Sequence, residues 1–180
     1  MSTTPFTVIS GGICAPKGFS AAGVHCGIRH NHEKRDLALI VADVRCAGAG
    51  CYTTNKVYGA PIKVDRAHLQ DGYARAILVN SGNANTCAPG GLELAQDTCK
   101  LVADALGINE NDVLPSSTGV IGQAMSLEPF AKGIPEAAAQ LSADADGSHA
   151  AATAIMTTDT HPKEYALAFE VNGTTCHIGA

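Results

Sequence analysis

The sequence predicts an α/β layered fold, and three observations carry that prediction. Two short apolar runs containing β-branched residues, at positions 37–44 and 76–81, read as strands. Leu92, Ala95, Cys99, Val102, Ala103 and Leu106 recur at the spacing of one helix face. The composition supplies the third: 19 Gly, 4% aromatic residues and no Trp require a core of small and aliphatic side chains that lets backbones approach closely. With 180 residues, 46% of them hydrophobic and 16% charged, the chain has apolar material for one compact domain, and residues 1–180 read as a single domain.

In chain order, the run Leu-Ala-Leu-Ile-Val-Ala-Asp-Val at 37–44 is bounded by Lys34, Arg35 and Asp36 on one side and by a Gly/Ala-rich stretch on the other, as a buried strand would be. The second strand, Ala-Ile-Leu-Val-Asn-Ser at 76–81, opens into Gly82, Asn83, Ala84 and Asn85, residues suited to a loop that presents polar groups. The helix on the 92–106 stripe should end at Gly107, which can adopt the left-handed cap conformation. Residues 112–115 form a short strand candidate leading into Ser-Ser-Thr-Gly-Val-Ile-Gly at 116–122. Ser126 can cap a helix reaching about Leu141, although Gly133 and Pro135 weaken it. A small-residue helix around Ala150, Ala151, Ala154 and Ile155 should stop near 156–160, because Pro162 disfavours helix before it. Residues 164–171 alternate, Asn172-Gly173 is a hairpin turn signal, and 174–178 return as the second strand. That apolar return strand runs almost to Ala180, so the biological polypeptide is expected to continue or to be joined by another chain.

Composition also excludes functions. A net charge of -5 and scattered aromatics offer no basic surface for nucleic acid. No apolar run reaches the roughly 20 residues of a bilayer span, and the amino terminus lacks the order of a secretory signal, so no membrane is expected and a cytoplasmic location is. The seven Cys are irregularly spaced, which suits free thiols in a reducing compartment rather than a disulfide framework. His25, Cys26, His30 and His32 lack paired metal-ligand spacing, so no metal site is expected, and 30–35 reads as a solvated turn.

Two segments can carry chemistry. Hydroxyls and two glycines at 116–122, between a strand and a helix, let backbone N–H groups turn toward an anion or an oxyanion. An ordinary strand-to-helix turn explains the same residues. Residues 156–163, Met-Thr-Thr-Asp-Thr-His-Pro-Lys, gather three hydroxyls, a carboxylate, an imidazole and an amine, which also serve simply to cap a helix end. Neither a phosphate-binding Gly-Lys-Ser/Thr loop nor a G-x-S-x-G nucleophile elbow is present.

Six stretches nevertheless resemble one family when taken together. They are Gly-Gly-Ile-Cys-Ala-Pro-Lys-Gly-Phe at 11–19, Gly-Val-His-Cys-Gly at 23–27, Tyr-Thr-Thr-Asn-Lys at 52–56, Val-Asn-Ser-Gly-Asn-Ala-Asn at 79–85, Ser-Thr-Gly-Val-Ile-Gly at 117–122 and Ala-Ile-Met-Thr-Thr-Asp-Thr at 154–160. In order and content these are similar to the bifunctional ornithine acetyltransferases (glutamate N-acetyltransferases) of arginine biosynthesis, from about residue 11 to the chain end. The resemblance implies an Ntn-hydrolase-like layered fold completed by a separate β chain, in an α2β2 heterotetramer produced by self-cleavage. It implies ping-pong acetyl transfer from N-acetylornithine to glutamate through an acetylated β-chain amino-terminal Thr, with no cofactor and with acetyl-CoA as an alternative donor in some members. An α-amine beside a Thr hydroxyl can act as its base, and each step passes through a tetrahedral oxyanion.

Matched by motif, Thr118 and Gly119 are implied as the oxyanion hole and Thr157 as a substrate contact; Asn83 and Asn85 match the motif without an assigned role. The family continues with a Lys-Gly-Ser-Gly-Met-like segment and a Met-Ala-Thr cleavage site, whereas this sequence stops before both, so the nucleophile is expected to lie outside it. Two rival readings stay open: a related self-processing amidase or aminopeptidase, and a non-catalytic interaction domain.

Overall fold

A computed structural model describes residues 5–31 and 33–180. Its strands and helices follow in the order β1 (Phe6–Ile9), β2 (Phe19–Val24), β3 (Leu37–Ala47), α1 (Ala60–His68), β4 (Tyr73–Asn80), α2 (Gly91–Leu106), β5 (Val113–Ser117), α3 (Glu128–Ala139), α4 (Ala145–Ala154), β6 (Ala166–Val171) and β7 (Thr174–Gly179). Four strands form a mixed sheet in the order β2-β3-β4-β5, with β4 and β5 parallel and the other pairs antiparallel. A second, antiparallel sheet has the order β1-β6-β7.

The period-two alternation of the strands divides the first sheet's side chains between two cores. On one face Val24, Leu37, Leu39, Val41, Leu78 and Val113 meet Val64 of α1, Leu94 and Val102 of α2, and Phe130 and Ile134 of α3. On the other, Ala21 and Ala38 meet Ala151 and Ala154 of α4 and Cys14 of a one-turn 3-10 segment. The second contact is close enough to need glycine: a Cβ on Gly23 of β2 would lie 2.0 Å from the carbonyl oxygen of Ala150. The layered α/β fold and the small-residue interface follow the sequence expectation.

Several boundaries differ. β1, β2 and α1 were not legible as elements, being short or built of small residues. On α2 the inward stripe uses Leu94 rather than Leu92, which is 42% exposed, while Gly107 takes the expected left-handed cap, its N–H donating to the Ala103 carbonyl. Ser126 is not a cap; α3 begins after Leu127 with no side-chain cap, and runs through Pro135. Pro135 lies on the exposed face, as does Ala131 one turn earlier, so water can serve the carbonyl that loses its hydrogen bond. α4 starts earlier than its alanines suggest, because the Asp144 carboxylate accepts from the Gly147 N–H and caps it. The Asn172-Gly173 turn is present, both residues at positive φ. Among the described residues no helix is long and apolar enough to cross a membrane.

A single register row fixes where the loops gather. Val24 pairs with Leu37, Leu37 with Asn80, and Asn80 with Ser117, so the segments 25–36, 81–90 and 118–127 all leave the sheet at one edge. This edge includes the carboxyl ends of the parallel pair β4/β5, the side on which open α/β sheets place ligands. The Ser81 hydroxyl donates to the Ala154 carbonyl at 2.5 Å, which brings the end of α4 and residues 155–163 to the same edge.

Candidate functional site

Three polar residues at the ends of strands organise this edge. Asn80 is fully buried, and its Oδ1 accepts from the N–H groups of Gly82 (2.8 Å) and Asn83 (3.2 Å), while Nδ2 donates to the Asn83 carbonyl (2.7 Å) and the Ser117 hydroxyl (3.1 Å). An Asn side chain thus winds the loop after β4 and ties it to β5. Asp36, also fully buried, accepts from the N–H groups of Cys26 (2.7 Å) and Arg29 (2.8 Å) and so shapes the loop after β2. Ser81 is the third, joined to both Ala154 and Arg29.

The loop after β5 rests on that frame. The Thr118 N–H donates to the Asn80 carbonyl at 2.9 Å, the Val120 carbonyl accepts from the Ala84 N–H at 3.0 Å, and the Gly122 N–H donates to the Thr86 carbonyl at 2.8 Å. Gly119 sits between these anchors at φ 133°, against Asn83, where an added Cβ would come within 3.0 Å of the Asn83 Cα. Glycine is therefore required there on two counts. With the loop so anchored, the Gly119 N–H and the Thr118 hydroxyl have no hydrogen-bond partner among the described residues, and both residues are exposed. Two adjacent donors on a fixed backbone, one main-chain and one hydroxyl, have the make-up of an oxyanion or anion site.

Thr118 and Gly119 are neighbours on one loop, whereas Thr157 belongs to another segment and lines a recess that neither of them lines. It follows α4 and is half-buried, its N–H donating to Asp159 Oδ2 at 3.3 Å. The hydrogen bond from Lys163, then that from the Thr157 N–H, hold the Asp159 carboxyl below its ordinary range. Thr157 lines a recess of about 370 Å³ with Arg29, Arg35, Thr153, Met156 and Asp159. A separate cleft of about 520 Å³ is walled by Asn83, Val120 and Gln123 from the two loops that frame Gly119.

Arg29 lines both spaces. Its Nη2 donates to the Ser81 carbonyl (2.6 Å), the Ser81 hydroxyl (2.8 Å) and the Met156 carbonyl (2.7 Å). Sequence reasoning missed Arg29, and its signal is only indirect: a buried carboxylate immediately before an apolar strand, Asp36, needs backbone donors, which the preceding loop supplies. Asn83 and Asn85, left without a role by sequence, are both structural in part. Asn85 Nδ2 donates to the Gly91 carbonyl at 2.7 Å, and Asn83 Nδ2 to the Gln123 carbonyl at 3.3 Å. The Oδ1 atoms of both are buried and have no partner among the described residues.

Burial first, then Asp36, pushes the Cys26 thiol up to about 12, which leaves it protonated and without nucleophilic character at neutral pH. His25 stays beside Asp36, its Nδ1 3.4 Å from Oδ2. Among the described residues no three His, Cys, Asp or Glu side chains gather as metal ligands, and His32 lies outside the described residues.

Comparison with known proteins adds three findings. Residues 20–180 match the model of the ArgJ family. The chain is 44% identical over 174 residues to the arginine biosynthesis bifunctional protein ArgJ of Symbiobacterium thermophilum and 43% identical over 173 residues to the glutamate N-acetyltransferase of Methanocaldococcus jannaschii. These alignments cover 96% of this chain but 43% and 41% of the two relatives, so the chain spans about two fifths of the length of the curated relatives it matches. Among solved structures, it superposes with a TM-score of 0.92 on the arginine biosynthesis bifunctional protein argJ of Bacillus halodurans, at 36% identity over 98% of this chain and 92% of that one. It also superposes with a TM-score of 0.86 on the ornithine acetyltransferase of Mycobacterium tuberculosis complexed with ornithine, at 35% identity over 91% and 88% of the two chains.

Proposed function

Because the chain belongs to the ArgJ family, we propose that the protein containing it moves an acetyl group from N-acetylornithine to glutamate in arginine biosynthesis, and that this chain supplies the oxyanion-stabilising half of the site. The observation that carries the reading is the pair of unused donors at Thr118 and Gly119, on a loop anchored on both sides by main-chain hydrogen bonds. Acyl transfer to or from a Thr hydroxyl passes through a tetrahedral intermediate whose oxygen gains a full negative charge. Donors already fixed where that charge develops need no reorganisation during the reaction. Since the Thr118 N–H is engaged by Asn80, residue 118 acts through its hydroxyl and residue 119 through its main chain.

Thr157 contacts the acetylated amino acid from the recess. The nucleophile is the amino-terminal Thr of a β chain made by self-cleavage, in the part of the family protein that this chain does not span, and the two chains assemble as an α2β2 heterotetramer. Acetyl-CoA serves as an alternative donor. Seven cysteines, all free, fit a reducing compartment, and the location is cytoplasmic.

The test is to follow acetyl exchange from N-acetylornithine to glutamate by the full-length protein and by this chain alone. Acetylglutamate formation by the full-length protein and none by the isolated chain is the expected result. Release of acetate without acetylglutamate would instead assign an amidase, and turnover by the isolated chain would remove the shared-site reading.

A further inference from the structure

We propose that Arg29 is the carboxylate anchor of the substrate site; the proposal rests on the acetyl-transfer reading above. The guanidinium is held in place from one nitrogen. Nη2 makes all three side-chain bonds, to the Ser81 carbonyl and hydroxyl and to the Met156 carbonyl, whereas Nε and Nη1 have no partner among the described residues. No carboxylate among the described residues bonds the side chain. Asp36 accepts the backbone N–H of Arg29 rather than its side chain, and Asp159, in the same recess, is bonded to Lys163. A half-buried guanidinium bonded only to neutral oxygens, in a recess whose carboxylates are the exposed Glu33 and the Lys163-bonded Asp159, can take an anionic ligand.

Its position gives the ligand's class. Arg29 is common to the recess that holds Thr157 and to the cleft walled by Asn83 and the Gly119 loop. N-acetylornithine and glutamate each carry an α-carboxylate, which supplies the acceptor for the Arg29 nitrogens that have no partner among the described residues. Asp36 and Ser81 then act as positioning residues, the first by shaping the loop that bears Arg29 and the second by fixing Nη2.

The experiment compares N-acetylornithine with its α-carboxamide in acetyl transfer to glutamate, using the full-length protein and its Arg29→Gln and Arg29→Lys variants. Wild type should prefer the acid over the amide by about 10²-fold in kcat/KM, the scale of an unpaired charge partner. Arg29→Gln should lose about that factor on the acid and little on the amide, collapsing the preference, and Arg29→Lys should restore part of it. Equal losses on both substrates would reduce Arg29 to a clamp on the Met156 loop and overturn the proposal, as would an unchanged preference. If Arg29→Gln does not fold, the acid/amide ratio of Arg29→Lys decides in the same way. If wild type transfers from neither compound, the acetyl-transfer reading falls on its own. Calorimetric titration with the same two compounds then tests the anchor, and binding with no preference for the acid overturns it.

Discussion

Replacing Asp65 with Asn should stabilise the protein at neutral pH and leave it nearly unchanged in acid. Asp65 is on α1, and its Oδ1 is buried with no partner among the described residues. Burial pushes the carboxyl up from 3.8 to about 7. Below about pH 4 both the folded and unfolded chains hold the proton, and the site costs nothing. Between about pH 4 and 7 the unfolded chain releases it while the folded chain keeps it, so stability falls as pH rises, and above about 7 the loss is constant. A rise of about three pKa units corresponds to a ceiling of about 4 kcal/mol, which the partial exposure of Asp65 reduces to roughly 1–3 kcal/mol. Urea unfolding of wild type and Asp65→Asn at pH 4 and pH 8 measures it. The variant should gain that amount at pH 8 and only about half a kcal/mol or less at pH 4. An equal gain at both values, or a loss at pH 8, would refute the burial argument, the latter by showing that the ionised carboxylate has a partner.

Gly23→Ala places a methyl group 2.0 Å from the Ala150 carbonyl oxygen and must push α4 off β2, so it should cost about 3 kcal/mol or more and lower Tm by several degrees; a neutral outcome would show that α4 does not pack as described. Thr157→Ala should raise KM for acetylornithine or glutamate with little change in kcat, since a contact made equally in the ground and transition states contributes to binding alone. Unchanged kinetics with a lower Tm would restrict Thr157 to capping the end of α4.

The elements that the sequence disclosed are those whose signal is local. The apolar run at 37–44 needs only its own residues to be read as β3, and Gly107 and the Asn172-Gly173 turn need only their own backbones. What stayed hidden depends on partners far along the chain. β2 is Phe-Ser-Ala-Ala-Gly-Val, and its small residues make sense only against α4, more than a hundred positions away. The contrast between Thr118 and Gly119 is equally non-local: the motif resemblance offers both as donors, but only the Asn80 carbonyl decides that the Thr118 N–H is taken. Arg29 was least legible, since its partners at Ser81 and Met156 are joined to it solely by the folding of the sheet edge. The Met-Thr-Thr-Asp-Thr segment was conspicuous for its hydroxyls, yet nothing in it shows that it opens onto a different recess from the Gly119 loop.

Whether the loop after β5 is an oxyanion hole is decided by the single-turnover rate of enzyme acetylation by N-acetylornithine in full-length wild type, Thr118→Ser and Thr118→Ala. Because the Thr118 N–H is engaged, the hydroxyl is the group through which this residue can meet the oxyanion, and Ser keeps it where Ala does not. Acetylation should stay near the wild-type rate for Ser and fall by about 10²- to 10³-fold for Ala, with Tm shifted little in either. An Ala variant that acetylates at the wild-type rate would contradict the hydroxyl's role, and a loss of stability without a loss of rate would return the loop to an ordinary strand-to-helix turn.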